Sequence, residues 1–247
     1  MKKLLLMTTS CALATSALAL TAFDNADNYG SGWTSGTNGG SGFNPWGFTT
    51  TADNTVAING SAPGGASINT TAGSFEMAAD NGGSFDVFRS FGGGASLAAG
   101  DIFSLDISVN FRNGNKGFDL RNDGTGLFNF NVGGDNYFFG GIDLGAEGWG
   151  YVDDGVYSLE FELLTETILN AKITRSSLTD ITREFELTNV NLGSAVNNFK
   201  FYVSGTDNAD AVNRLYANNF EVVPEPSTYA LLAGAFGLIF AIQRRRR

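Results

Sequence analysis

Histidine is absent from this chain of 247 residues, and cysteine occurs once, as Cys11. Without imidazole there is no Ser-His-Asp triad, no histidine general base and no His-ligated zinc or haem. The one thiol falls in a segment read below as a leader, so the working protein has no disulfide, thiol nucleophile or cysteine metal cluster. Thr8-Thr9-Ser10 lacks the aliphatic residue that a lipid-modified cysteine needs just before it. Positive charge is also scarce: 15 Lys and Arg face 25 Asp and Glu, for a formal charge of −10. Six cations, Lys2, Lys3, Arg244, Arg245, Arg246 and Arg247, sit at the two ends; setting them and Glu225 aside leaves nine against 24, or −15, in the body. A field of that sign repels phosphate backbones, so nucleic acid is a poor partner.

What is present is clearest at the ends. Lys2 and Lys3, then Leu4-Leu5-Leu6-Met7 and an Ala/Leu/Thr run to Leu20, have the basic start, short apolar stretch and small-residue exit of a secretory signal peptide. Residues 1–19 are the expected leader, cut after Ala17-Leu18-Ala19, with Ala22 as the second option; export through the secretory translocon follows. At the other end an apolar run over 229–242 precedes Gln243 and the four arginines. Its length of about 21 Å falls short of the roughly 30 Å hydrocarbon layer. The arginines outweigh that shortfall, because no core would accept four of them and the positive-inside bias would hold them in the cytoplasm. Their stems can snorkel to lengthen the span, so a short transmembrane helix is expected at about 228–243. Gly234 and Gly237 give it a face of small side chains for packing against another membrane helix.

Pro224-Glu225-Pro226, the short apolar helix and the terminal arginines, with Val-Pro-Glu-Pro-Ser-Thr-Tyr-Ala-Leu-Leu-Ala-Gly over 223–234, resemble a PEP-CTERM sorting signal covering about 224–247. The resemblance implies processing near Pro-Glu-Pro by exosortase, a membrane cysteine protease and transpeptidase, with release or transfer of the body to the surface. It also implies a Gram-negative host that secretes exopolysaccharide, and a place in that biofilm matrix. Paired X-Pro bonds keep the segment extended, the conformation a protease reads. The competing reading of the same helix is a permanent single-span anchor.

Residues 20–223 read as one all-β domain. Phe103, Leu105, Ile107, Val109 and Phe111 alternate with Ser104, Asp106, Ser108 and Asn110, as in a strand with one wet side. The same period recurs in Tyr157, Leu159, Phe161, Leu163; in Phe128, Phe130, Val132; in Leu169, Ala171, Ile173; and in Phe199, Phe201, Val203. Asn81-Gly82-Gly83, Asn113-Gly114-Asn115, Asn122-Asp123-Gly124, Gly133-Gly134-Asp135-Asn136 and Asp153-Asp154-Gly155 punctuate them with hairpin-type turns. Ten to twelve strands and no sustained helical period predict a jelly-roll-type, lectin-like β-sandwich with a Phe-rich core. The Gly- and Trp-rich opening, Tyr29-Gly30-Ser31-Gly32-Trp33-Thr34 to Gly42-Phe43-Asn44-Pro45-Trp46, and the ending Asn218-Asn219-Phe220-Glu221-Val222 also resemble exported β-sandwich proteins of unassigned mechanism.

Site candidates are fewer. Glu160 and Glu162 share a strand face, as two carboxylates of a glycosidase could, but the spacing departs from the Glu-x-Asp-x-Glu of laminarinase-type enzymes, and Glu184 and Glu186 repeat it; both pairs read as solvated faces. Asp24-Asn25-Ala26-Asp27 recurs as Asp207-Asn208-Ala209-Asp210, and first and last strands commonly pair in jelly rolls. Turn chemistry is the default reading of these residues, and a structural calcium held by Asp24, Asp27, Asp207 and Asp210 is the one cofactor candidate. Trp33, Trp46 and Trp149 lie in Gly-rich sequence and are the candidate stacking platforms for sugar, although tryptophans more often plug sandwich ends. Arg112, Lys116 and Arg121, beside Asp119 and Asp123, read as a solvated face. Gly92-Gly93-Gly94 lacks the Lys-Ser/Thr of a phosphate loop. The expected protein is non-enzymatic, at the surface or in an exopolysaccharide matrix, with a carbohydrate-binding module and then a polysaccharide hydrolase as alternatives.

Overall fold

The computed structural model describes residues 20–224, apart from 31, 52–53, 61–67, 80–81, 110, 112, 135, 154 and 206–213. The expected leader, the helix at 228–243 and its arginines lie outside the described residues. Among those described, no helix is long and apolar enough to cross a membrane.

The described residues form two packed antiparallel sheets. The chain runs β1 (Ala22–Asp24), β2 (Gly47–Thr50), β3 (Asn54–Asn59), β4 (Ser74–Ala79), β5 (Ser84–Ser90), β6 (Asp101–Val109), β7 (Asn115–Asn122), β8 (Thr125–Asn131), β9 (Phe138–Phe139), β10 (Ile142–Asp143), β11 (Val156–Leu163), β12 (Ile168–Ser176), β13 (Arg183–Asn191), β14 (Asn198–Ser204) and β15 (Leu215–Pro224). The eight-stranded sheet is ordered β13-β12-β11-β6-β15-β4-β3, with β1 added on β15; the seven-stranded sheet is ordered β10-β9-β8-β7-β14-β5-β2. β4 pairs with the first half of β15 and β1 with the second, so first and last strands do meet.

Alternation decides what is inside. Phe103, Leu105, Ile107 and Val109 on β6, and Phe199, Phe201 and Val203 on β14, are buried. β6 stops at Val109, and Phe111, expected to continue it, is exposed. Rings from both sheets interlock between the layers: Phe103 on Phe199 at 5.2 Å and Phe118 on Phe161 at 5.7 Å between centroids. With no disulfide among the described strands, that burial is the main stabilising term, about 1.5–3 kcal/mol for each large apolar side chain. In β15 a bulge between Asn218 and Glu221, with Asn219 at φ 56°, shifts the phase by one residue, so that Ala217 and Phe220 both face the core. Asp123, also at positive φ, makes the expected β7–β8 hairpin turn.

Candidate functional site

Three features bear on function: the point where the chain enters and leaves the sandwich, the polar knot beneath it, and the outer face of the seven-stranded sheet. Ala22 pairs with Val222, and Val222 with Phe103 on β6; Pro224 ends the ladder opposite Asp101. Val222 is fully buried, whereas Val223 is exposed, so Val222 is the last core side chain before the tail. Proline suits the final position because it has no N–H to offer a further ladder bond. Segments 1–19 and 225–247 therefore attach at neighbouring points on one end of the sandwich.

Asp24 on β1 is completely buried and ion-paired to Arg89 on β5, which is equally buried. Its carboxylate also accepts from the Tyr29 hydroxyl at 2.5 Å and the Asn28 amide at 2.9 Å. Arg89 donates to the Asn44 carbonyl at 2.7 Å and to Asn38 at 2.5 Å, with its guanidinium 4.7 Å from the ring centres of Phe43 and Trp46. Trp46 donates to the Tyr29 hydroxyl at 2.8 Å. Burial, then the bond to Asp24, pushes Tyr29 up to about 12, so it stays neutral. Asn218 binds the Ala26 N–H at 3.0 Å and the Ile68 and Gly73 carbonyls at 2.8 and 2.9 Å, tying β15 to the segment after β1.

Two expectations fall on or near these residues. The Asp24 carboxylate is already neutralised by a guanidinium, which would repel calcium, and Asp27 instead accepts the Ala72 N–H at 2.6 Å. Asp207 and Asp210 lie outside the described residues, and no group of three metal-ligating side chains exists among those described. The tryptophans are plugs. Trp33, Trp46 and Trp149 are 2%, 2% and 5% exposed; Trp33 packs edge-on against Trp46, and Trp149 lies 5.2 Å beneath the Arg175 guanidinium. Buried faces cannot stack on a ligand in solvent.

Lys116 is also corrected. It is fully buried rather than part of a solvated basic face, donating to the Phe111 carbonyl at 2.6 Å, and burial pulls it down to about 7. Arg121 is half-buried and pairs with Asp119 at 3.3 Å; Arg112 lies outside the described residues. Glu160 and Glu162 face outward from β11, and Glu162 accepts from Asn170 at 2.8 Å. They belong to an acidic surface on the eight-stranded sheet where Lys172 pairs with Glu184 at 3.5 Å. A shallow pocket of about 130 Å³ there is lined by Ser104, Asp106, Ser158, Glu160, Lys172 and Thr174, among others.

The outer face of the seven-stranded sheet differs in chemistry. Register sets Gly47, Phe88, Lys200, Asp119 and Asn129 in one cross-strand row. The next row holds Thr49, Asp86, Tyr202, Gly117, Asn131, Phe138 and Asp143. Lys200 bridges Asp86 at 3.2 Å and Asp119 at 3.9 Å. Asn129 donates to Asp119 at 2.7 Å and to the Tyr202 hydroxyl at 2.9 Å. The Tyr202 ring lies over Gly117, where an added Cβ would meet its hydroxyl at 2.5 Å, and the Phe88 ring lies over Gly47. Burial raises Tyr202 to about 12, keeping its hydroxyl protonated and able both to donate and to accept. Sequence patterning pointed to none of these residues except Asp119 and its partner Arg121, although Phe88 and Tyr202 are aromatics standing out of phase with the core residues of their strands.

Residues 222–247 match the family described as the PEP-CTERM protein-sorting motif. The chain therefore carries that motif at its C-terminus, which implies exosortase processing and an exported, surface-sorted protein. No curated protein matches the sequence. Among solved structures, the chain is similar to a seed lectin of Lotus tetragonolobus, at 7% identity and a TM-score of 0.43 over 71% of this chain and 92% of that one. It is similar to a PL-14 alginate lyase from Aplysia kurodai, at 11% identity and a TM-score of 0.43 over 72% and 90%. It is also similar to the CBM2 module of the evolved Dit of Lactobacillus casei BL23 phage J-1, at 12% identity and a TM-score of 0.39 over 69% and 79%.

Proposed function

We propose that this is a non-enzymatic exported protein whose acidic β-sandwich is held at the membrane by residues 228–243, cut beside Pro224-Glu225-Pro226 by exosortase, and delivered to the surface or the exopolysaccharide matrix. The observation that carries the reading is the junction: the sorting motif begins inside β15, and Val222 is its last buried side chain. A cut at Pro-Glu-Pro removes the tail without withdrawing a core residue. The same logic favours leader cleavage after Ala19 over Ala22, because Ala22 is 1% exposed and Leu20 packs against the core. Losing both would cost about the transfer energy of those side chains.

Intact-mass spectrometry of protein recovered from envelope and medium tests this. The expected species begins at Leu20 and ends near Pro224. A surface species retaining Arg247 would establish the permanent anchor instead. A variant lacking residues 225–247 is expected to be secreted without surface retention, and unchanged localisation would refute the proposal. For the hydrolase alternative, reducing-sugar release abolished by Glu160→Gln and Glu162→Gln would overturn the non-enzymatic part.

A further inference from the structure

The two outer faces of the sandwich do not carry charge equally. The eight-stranded sheet shows Asp106, Glu160, Glu162, Glu184, Glu186 and Glu221 against Lys172. On the seven-stranded sheet, Asp86 and Asp119 are matched by Lys200 and Arg121 through the ion pairs given above, which leaves Asp143 at the β10 edge as the surplus carboxylate among the described residues of this face. This face presents two exposed rings, Phe88 at 43% and Phe138 at 39%, with the half-buried Tyr202 between their strands, whereas the other sheet exposes Phe23, at 44%, on the short strand β1.

The orientation of the rings is built in. Gly47 and Gly117 leave room on the neighbouring strand for Phe88 and Tyr202 to lie down along the sheet instead of standing off it. Phe88 on β5 and Phe138 on β9 are four strands apart, which at about 4.8 Å per strand spans roughly 19 Å. Flat apolar rings alternate along this band with hydrogen-bonding groups of both kinds: the Tyr202 hydroxyl, the Asn129 amide, the Asp86 and Asp119 carboxylates and the Lys200 ammonium. That combination suits a ligand with apolar C–H faces and many hydroxyls, each of which donates and accepts.

From this we infer that the outer face of the seven-stranded sheet is a binding platform for an extended, uncharged polysaccharide lying across strands β5 to β9. Charge selects the neutral polymer. Carboxylated chains would approach a body of −15 with no surplus cation on the face to receive them. Phe88 stacks one sugar ring, Tyr202 and Asn129 hydrogen-bond the next hydroxyls, and the Lys200 bridge fixes Asp86 and Asp119 as acceptors. The inference deepens the matrix reading only by naming the matrix component bound. Because it is read by binding in vitro, its failure would leave localisation and tail processing untouched.

The test is native affinity electrophoresis of the mature protein recovered from medium or envelope, in gels containing hydroxyethylcellulose, galactomannan or dextran as neutral probes and alginate as the acidic one. Retardation by at least one neutral polymer is expected, with no retardation by alginate. Phe88→Ala, at an exposed position, is expected to weaken the association about three- to tenfold with an unchanged melting temperature. Gly47→Ala keeps the ring but forces it off its bed, and is expected to weaken it likewise. Glu160→Gln with Glu186→Gln, on the opposite face, is expected to leave it unchanged. Absence of retardation by all three neutral polymers would overturn the inference. So would retardation by alginate alone, retardation insensitive to Phe88→Ala and Gly47→Ala, or a dimer that Phe88→Ala dissolves in sedimentation.

Discussion

The knot beneath the termini and the outer face of the seven-stranded sheet use nearly the same side chains: an Asp–Arg pair against Asp–Lys and Asp–Arg pairs, a tyrosine hydroxyl, asparagine amides and flanking rings. They differ in water. Asp24 and Arg89 have no exposed side-chain surface, whereas Lys200 and Asp86 are 20% and 37% exposed. In the knot the partners are indispensable to each other, because an uncompensated buried charge is costly. On the face each charge retains solvent, so the pairs contribute little to stability and their polar atoms stay available to a ligand.

Breaking the knot should therefore have the largest effect. Arg89→Ala is expected to cost about 3–5 kcal/mol in urea unfolding, by leaving Asp24 buried without its guanidinium. A loss below about 1 kcal/mol would mean that water reaches the site. Lys116 sharpens the comparison from another side, as a buried cation with no carboxylate partner among the described residues. Burial lowers it from 10.5 to about 7. Between those values the unfolded chain holds a proton that the folded chain has released, so this group makes stability rise with pH from about 7 to 10.5. Lys116→Met is expected to be more stable than the wild type at pH 6, on the order of 1 kcal/mol, with the advantage shrinking toward pH 9.5. A constant difference across that range would show that Lys116 does not titrate there.

On the open face, Lys200→Met is expected to change stability by less than about 1 kcal/mol. A larger loss in thermal unfolding would make Lys200 a structural residue like Arg89. Smallest of all, Glu160→Gln with Glu186→Gln on the acidic face should stay within about 0.5 kcal/mol, measured in the same way. A clear gain in stability at low salt would reveal mutual repulsion among those carboxylates.

The strands and their buried sides were legible because a period of two is written directly in residues such as Phe103, Leu105 and Ile107. The same period held unused information about the charged residues. Lys116 is in phase with Phe118 and Leu120, Arg89 with Phe85 and Val87, and Arg175 with Leu169, Ala171 and Ile173; all three cations are buried. Reading them by charge type instead of phase put Lys116 on the surface. The tryptophans are the converse case: glycine-rich neighbours suggest exposure, but the loop carrying Trp33 and Trp46 folds back into the core beside Phe75, as the plug reading has it.

By itself the sequence determined the sorting tail, the acidic body, the all-β character and the phase of most strands, because each is local: a motif, a charge count, an alternation. Only the tertiary structure decided that Ala22 and Val222 are neighbours, that Asp24 meets Arg89, and that Phe88, Tyr202 and Asn129 share one face. Those outcomes depend on which strands pair and in what register, a choice made by burying the whole core at once.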